Sequence, residues 1–343
     1  MPADLQQGFR LDPADLPGED VIFGGTAAML DAHAGIERVV ETELPVLLQG
    51  ERGTGKDLVA RFLHIRSGRQ DRPFVKLCCA ATSQRLLEGE LMGYEQGAIP
   101  GADEAKPGLV EIAEGGTLFL DEIGELGWNL QRKLLLLLQD GRYFRVGGRE
   151  ERQANVRIIC STNVPLGAAV KDGTFRRELF SQMEATCFRL SALRERKQDI
   201  PQLWSFFAGK LARKFGKDAP QLTPEVLHTL ERWEWPGNLC ELENCIARVI
   251  ILGDEEGIGD ELRRQAAPLS IADGHPERSR LARSGSRQMA AEARILQVLR
   301  ASHWNQRKTA GGLKRSHGSP LYRLRSVGAS QRPRRPRRFP RPE

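Results

Sequence analysis

The stretch Val46-Leu47-Leu48-Gln49-Gly50-Glu51-Arg52-Gly53-Thr54-Gly55-Lys56-Asp57-Leu58 decides how the rest of this chain is read. An apolar run at 46–48 stops at a glycine-rich segment, and a helical pattern begins at Leu58. Strand, loop and helix in that order are the setting of a phosphate-binding loop. Glycines let successive backbone N–H groups converge on phosphate oxygens with no Cβ in the way. The helix N-terminus adds partial positive charge. On this reading Gly50, Glu51, Arg52, Gly53, Thr54, Gly55, Lys56 and Asp57 hold a nucleotide, and Lys56 reaches its β/γ-phosphates. Asp57 stands where the generic loop has a Mg²⁺-binding Ser or Thr.

Outward from the loop, short apolar runs at 74–77, 117–120 and 156–160 read as further strands. Helical patterns at 57–65, 84–92 and 130–140 lie between them. Such alternation predicts an α/β layer with a parallel sheet. The run Gly115-Gly116-Thr117-Leu118-Phe119-Leu120-Asp121-Glu122 ends in two acids about 65 residues after the loop. Asp121 can hold Mg²⁺, and Glu122 can orient and polarise an attacking water. Gly115 and Gly116 are counted with the nucleotide-binding residues. The strand at 156–160 leads into Asn163, which can hydrogen-bond a γ-phosphate or that water. Beyond residue 190 the pattern is helical only, at 199–214, 223–233 and 239–252.

Composition narrows the alternatives. The 343 residues carry 51 Lys+Arg against 45 Asp+Glu, a net charge of +6. Residues 277–343 hold 18 Lys+Arg and 3 Asp+Glu, whereas the other 276 hold 33 and 42. An acidic body thus carries a basic end, which fits either a nucleic-acid-binding appendage or a solvated tail. No apolar run approaches the ~18 residues of a membrane span. Six cysteines without C-x-x-C or zinc spacing fit a reducing cytoplasm rather than a disulfide framework. The tryptophans at 128, 204, 233 and 235 read as core or subunit packing.

Taken together, the motifs resemble the AAA+ ATPase domain of sigma-54-dependent bacterial transcription activators over roughly 22–328. The match is carried by GERGTGKD (50–57), LLEGELMGYEQGA (86–98), GGTLFLDEIGEL (115–126), VRIICSTN (156–163), GTFRREL (173–179), LRERKQDI (193–200) and WPGNLCELEN (235–244). The resemblance implies ATP and Mg²⁺ bound between subunits of a homo-oligomer, usually a hexameric ring, that remodels RNA polymerase sigma-54 holoenzyme. It implies an arginine finger at Arg176. HWNQRKTA (303–310) and LYRLRSVG (321–328) resemble a factor-for-inversion type helix-turn-helix. Arg307, Lys308, Ser319, Arg323 and Arg325 would then meet DNA. The expected organisation is a leader (1–20), an AAA+ α/β nucleotide-binding subdomain (21–190) and an AAA+ helical lid (191–253). A linker (254–288), a small all-α helix-turn-helix domain (289–328) and a basic tail (329–343) follow.

The sequence departs from the family in four places. Its sigma-contact loop, Gly-Ala-Phe-Thr-Gly-Ala, here reads Gly97, Ala98, Ile99, Pro100, Gly101, Ala102. Cys78 replaces an Asn that senses nucleotide. Gln182 replaces a second trans-acting arginine, and Cys240 replaces the nucleotide-reporting arginine of the lid. These departures predict slow or poorly coupled hydrolysis and weakened sigma contact. Two other readings remain open: a regulator acting without sigma-54, with the nucleotide domain serving assembly only, and a metabolic enzyme such as an oxidoreductase, for which no motif speaks.

Overall fold

The computed structural model describes residues 11, 13, 16–80, 83–99 and 102–252. The expected linker, helix-turn-helix domain (with Arg307, Lys308, Ser319, Arg323 and Arg325) and basic tail lie outside the described residues. So do Pro100 and Gly101 of the sigma-contact loop.

The chain opens with α1 (Glu19–Phe23) and α2 (Ala27–Val39), then enters β1 (Val46–Gln49) and α3 (Lys56–Ile65). Next come β2 (Phe74–Cys78), α4 (Gln84–Met92), the paired β3 (Gly93–Tyr94) and β4 (Lys106–Pro107), and α5 (Leu109–Ile112). They are followed by β5 (Thr117–Asp121), α6 (Trp128–Asp140) and the paired β6 (Arg142–Tyr143) and β7 (Arg152–Gln153). The layer ends with β8 (Arg157–Thr162), α7 (Leu166–Lys171), α8 (Arg177–Ser181) and β9 (Cys187–Arg189). Three helices complete the described chain: α9 (Ile200–Phe215), α10 (Pro224–Arg232) and α11 (Asn238–Leu252). Helix α1 starts at Glu19, so it straddles the boundary expected at 20/21.

The main sheet has the order β2-β5-β8-β1-β9, and every pairing is parallel. Its central strands β1, β5 and β8 are largely buried and mostly apolar because both faces are covered. Successive residues point to opposite faces: Leu47, Leu118, Leu120 and Ile158 join one core, and Val46, Leu48, Phe119 and Ile159 the other. The second core is closed by α2 and α3 through Met29, Ile36, Val59 and Leu63. β9 escaped the sequence reading because it is three residues long and carries an outward arginine. Its pairing with β1, Leu47 opposite Cys187, is what makes it a strand.

The lid has its own core, built on Trp204, Phe207, Leu230, Trp235, Leu242 and Ile246. Trp204 and Trp235 are buried, as expected of packing residues. Trp128 is not core: 48% of it is exposed. All six cysteines are free. Among the described residues, no helix is long and apolar enough to cross a membrane.

Candidate functional site

A parallel sheet brings the C-terminal ends of its strands to one edge, where an open α/β sheet holds its ligands. Here β1 delivers the loop 50–55, β2 ends at Cys78, β5 at Asp121 and β8 at Thr162, followed by Asn163. The loop is shaped by two left-handed glycines, Gly53 at φ 80° and Gly55 at φ 102°, and α3 starts directly after the second. A Cβ on Gly53 would clash with the Gly237 carbonyl oxygen. Lys56 is buried, and its Nζ donates to the carbonyls of Gly50 (2.8 Å) and Glu51 (3.0 Å). The same Nζ lies 3.5 Å from Glu122 Oε1.

The acidic residues meet around the start of α3. Ser161 Oγ donates to Asp121 Oδ1 at 2.5 Å. Lys76, on β2, bridges Asp57 Oδ1 (2.6 Å) and Asp121 Oδ2 (3.1 Å). Arg61 Nε takes the other oxygen of Asp57 at 2.8 Å. Burial works against the charge on Lys76, but the hydrogen bond and charge of Asp57, then Asp121, outweigh it. The ammonium is held above the ordinary lysine range. Glu122 stands at φ 62°, a left-handed conformation uncommon for a side-chain-bearing residue. Its Oε2 accepts the Asn163 N–H at 2.8 Å. Asp57 and Asp121 offer hard carboxylate oxygens side by side, a donor set that suits Mg²⁺.

These groups line a cleft of about 860 Å³ between the sheet edge and the lid. Arg52, Gly53, Gly55, Lys56, Asp57, Asp121, Glu122 and Asn163 all face it. So do Cys78 and Cys240, two of the positions expected from the sequence to differ from the family. Lys210 and Arg213 of α9 enter from the lid side, and Leu16, Pro17, Leu58 and Leu239 give an apolar wall. The sequence reading missed Lys210 and Arg213. They stand alone in a helical pattern, and only the fold turns them toward the loop.

Other expected site residues do not reach the cleft. Gly115 and Gly116 sit at the opposite, N-terminal end of β5, so their assignment to nucleotide binding is corrected. A Cβ on Gly116 would clash with the Pro73 carbonyl oxygen, and Gly115 has φ 71°; both are packing and turn glycines. Thr54 is buried and donates to the Glu51 carbonyl at 2.9 Å. Glu51 turns to the lid, where Arg194 forks onto its carboxylate at 2.8 and 2.5 Å. That hydrogen bond holds the Glu51 carboxyl at about 2. Arg176 lies elsewhere: its guanidinium is 4.0 Å from the Trp128 ring centroid, and its Nε donates to the Trp128 carbonyl at 3.1 Å. Gln182 is exposed at the end of α8. In the sigma-contact loop, Gly97 N–H donates to Ala102 O at 2.9 Å and Ala102 N–H to Ile99 O at 3.1 Å. Those bonds tie the two described ends of the loop together, and Gly97, Ala98, Ile99 and Ala102 lie outside the cleft.

Residues of two motifs, LRERKQDI and WPGNLCELEN, join lid to loop. Asn238 Oδ1 accepts the Leu193 N–H at 2.7 Å, while Nδ2 donates to the Arg52 carbonyl at 2.9 Å. The Leu239 N–H donates to Gly53 O at 3.0 Å. Buried Arg196 donates to the Thr54 carbonyl at 2.9 Å, and Asp199 accepts the Gly25 N–H at 2.9 Å. Both motifs thus act largely on backbone, besides the Glu51 carboxylate that Arg194 and Asn238 share, and backbone partners are not revealed by a residue pattern.

A glycine-rich loop on a parallel sheet, a strand ending in Asp-Glu and a helical lid bonded to the loop define a P-loop protein of the AAA+ class. Residues 22–189 match the sigma-54 interaction domain, and residues 194–279 match an AAA+ ATPase lid domain. The chain belongs to the sigma-54 activator family. It is 37% identical to the Nif-specific regulatory protein of Azotobacter vinelandii, over 92% of this chain and 60% of that protein. It is 35% identical to the regulatory protein AtoC of Escherichia coli K12, over 90% of this chain and 68% of that protein. Among solved structures it is similar to NtrX of Brucella abortus in complex with ATP, at TM-score 0.63 and 30% identity. That likeness covers 93% of this chain and 70% of the other. The chain thus spans about three-fifths of the length of the Azotobacter relative.

Proposed function

We propose that this chain binds ATP and regulates transcription as a sigma-54-type AAA+ activator. The observation that carries the reading is the meeting of Lys56, Asp57, Asp121 and Glu122 at the sheet edge, under a lid bonded to the loop. Backbone N–H groups of residues 50–57, the α3 N-terminus and Lys56 take the phosphates. The apolar wall of Leu16, Pro17 and Leu239 takes the base. Asp57 and Asp121 hold Mg²⁺, which when bound neutralises charge on the phosphate oxygens. Glu122, fixed by the Asn163 N–H, holds and orients the attacking water. Arg176 serves a neighbouring subunit of a homo-oligomeric, hexameric ring. Residues 289–328 hold DNA. Hydrolysis is slow, because Cys78 and Cys240 face the cleft without the amide and guanidinium of the family, and Gln182 supplies no charge.

Titration calorimetry with ATP and ADP tests the nucleotide reading. The wild-type chain binds both, and Lys56→Ala weakens binding by about 10- to 100-fold, the cost of one charge-assisted contact. Equal affinity of the two proteins would sink it.

A second reading, regulation without sigma-54, is favoured by Ile99 and Pro100 where the family has Phe and Thr. Pro100 restricts φ in the contact loop, and the hydroxyl and ring are missing. Transcription from a footprinted promoter, run with each sigma factor in turn, separates the two readings.

A further inference from the structure

Every oxygen of the two carboxylates that would take the divalent cation is already engaged. Asp57 Oδ1 goes to Lys76, Asp57 Oδ2 to Arg61, Asp121 Oδ1 to Ser161 and Asp121 Oδ2 to Lys76. Lys76 is the group common to both acids, and its ammonium lies between them. Its position is built in. Lys76 pairs with Phe119 in the β2–β5 register, and its Nζ sits 5.2 Å from the Phe119 ring centroid. The side chain therefore crosses a buried ring and ends under the first turn of α3, where Asp57 stands. Arg61 differs: it is the i+4 neighbour of Asp57 on α3 and touches one acid only.

We propose that Lys76 is an internal stand-in for the divalent cation, holding Asp57 and Asp121 together in the metal-free site and giving way when Mg²⁺ arrives. The inference rests on the nucleotide reading above. Without metal, the two carboxylates would repel each other and the incoming phosphates. One ammonium between them removes much of that repulsion, so the site accepts nucleotide before metal. The same ammonium competes with the cation for Asp57 Oδ1 and Asp121 Oδ2. Lys76 is a positioning residue, acting on nucleotide through the two acids.

The consequence is a change of opposite sign in two measurements. Lys76→Met keeps the apolar stem over Phe119 and removes the charge. In the full chain with EDTA, this variant binds ADP about fivefold more weakly than wild type. In a Mg²⁺ titration at fixed ADP, it reaches half-saturation at about fivefold lower Mg²⁺. Lys76→Arg keeps the charge and stays near wild type in both. Arg61→Met shifts the Mg²⁺ midpoint less than Lys76→Met. Circular dichroism first checks that each variant keeps the wild-type fold. Parallel losses, or an unmoved Mg²⁺ midpoint, overturn the proposal. A wild-type chain that binds no ADP refutes the nucleotide reading instead. Mn²⁺ alone, followed by electron paramagnetic resonance, then still decides on Lys76: tighter Mn²⁺ in Lys76→Met supports the proposal, and equal binding ends it.

Discussion

His64 lies at the end of α3, fully buried, with Nδ1 2.8 Å from Thr117 Oγ1 on β5. Burial presses its pKa down from 6.5 to about 4, with nearby Arg157 and Arg69 acting the same way. The native state therefore keeps His64 neutral where the unfolded chain would take up a proton. Stability from this residue is full above pH 6.5 and is lost as pH falls from 6.5 toward 4. Wild type should lose about 1–3 kcal/mol more unfolding free energy than His64→Gln between pH 7 and 4, measured by denaturant titration. Matching slopes would show that native His64 takes up its proton as readily as the unfolded chain does. At this scale the loop and the two acids were legible because their chemistry is local: glycines, one lysine and acids at strand ends. Gly115 and Gly116 misled for the same reason, being glycines beside an acidic strand. The strand's own length carries Asp121 away from them, roughly 3.3 Å per residue.

At the scale of elements, the strands and helices of the α/β layer were legible from apolar period and glycine breaks. Helix α4 falls where the sequence placed it, residues 84–92. The lid helices were legible too, but their attachment was not. One amide in that attachment, Asn238, at φ 52°, is bonded to Leu193, Arg52 and Glu51. Asparagine tolerates that left-handed backbone better than alanine does. Asn238→Ala leaves a buried N–H and a carbonyl without partners, at about 2–4 kcal/mol. Chemical unfolding followed by tryptophan fluorescence should register that loss, since Trp204 and Trp235 report on the lid core. A midpoint within error of wild type would show that the lid docks by its apolar face instead.

At the scale of the whole molecule, the site is assembled from distant segments: residue 16 at one end, the sheet edge, and α11 more than 220 residues later. Lys76, Lys210 and Arg213 became visible only through that assembly. Three of the positions at which the sequence is expected to depart from the family fall into two places. Cys78 and Cys240 face the cleft, whereas Gln182 is exposed outside it, beside the segment that carries Arg176. A ring would use the two places differently. Gln182→Arg should raise ATP turnover by about tenfold or more, in a concentration-dependent manner that tracks assembly. A gain seen equally in dilute, unassembled protein would contradict a role in a neighbouring subunit.

Beyond the Glu51 carboxylate, the lid grips the loop through main-chain atoms: the carbonyls of Arg52, Gly53 and Thr54. Peptide groups are the same whatever side chain they carry. Position 52 can therefore drift in sequence with its peptide carbonyl still in the grip, whereas Gly53 is confined by the Gly237 carbonyl against it. The fold thus sets a permissive site beside a forbidden one. A survey of substitutions along this segment should find tolerance and intolerance one residue apart.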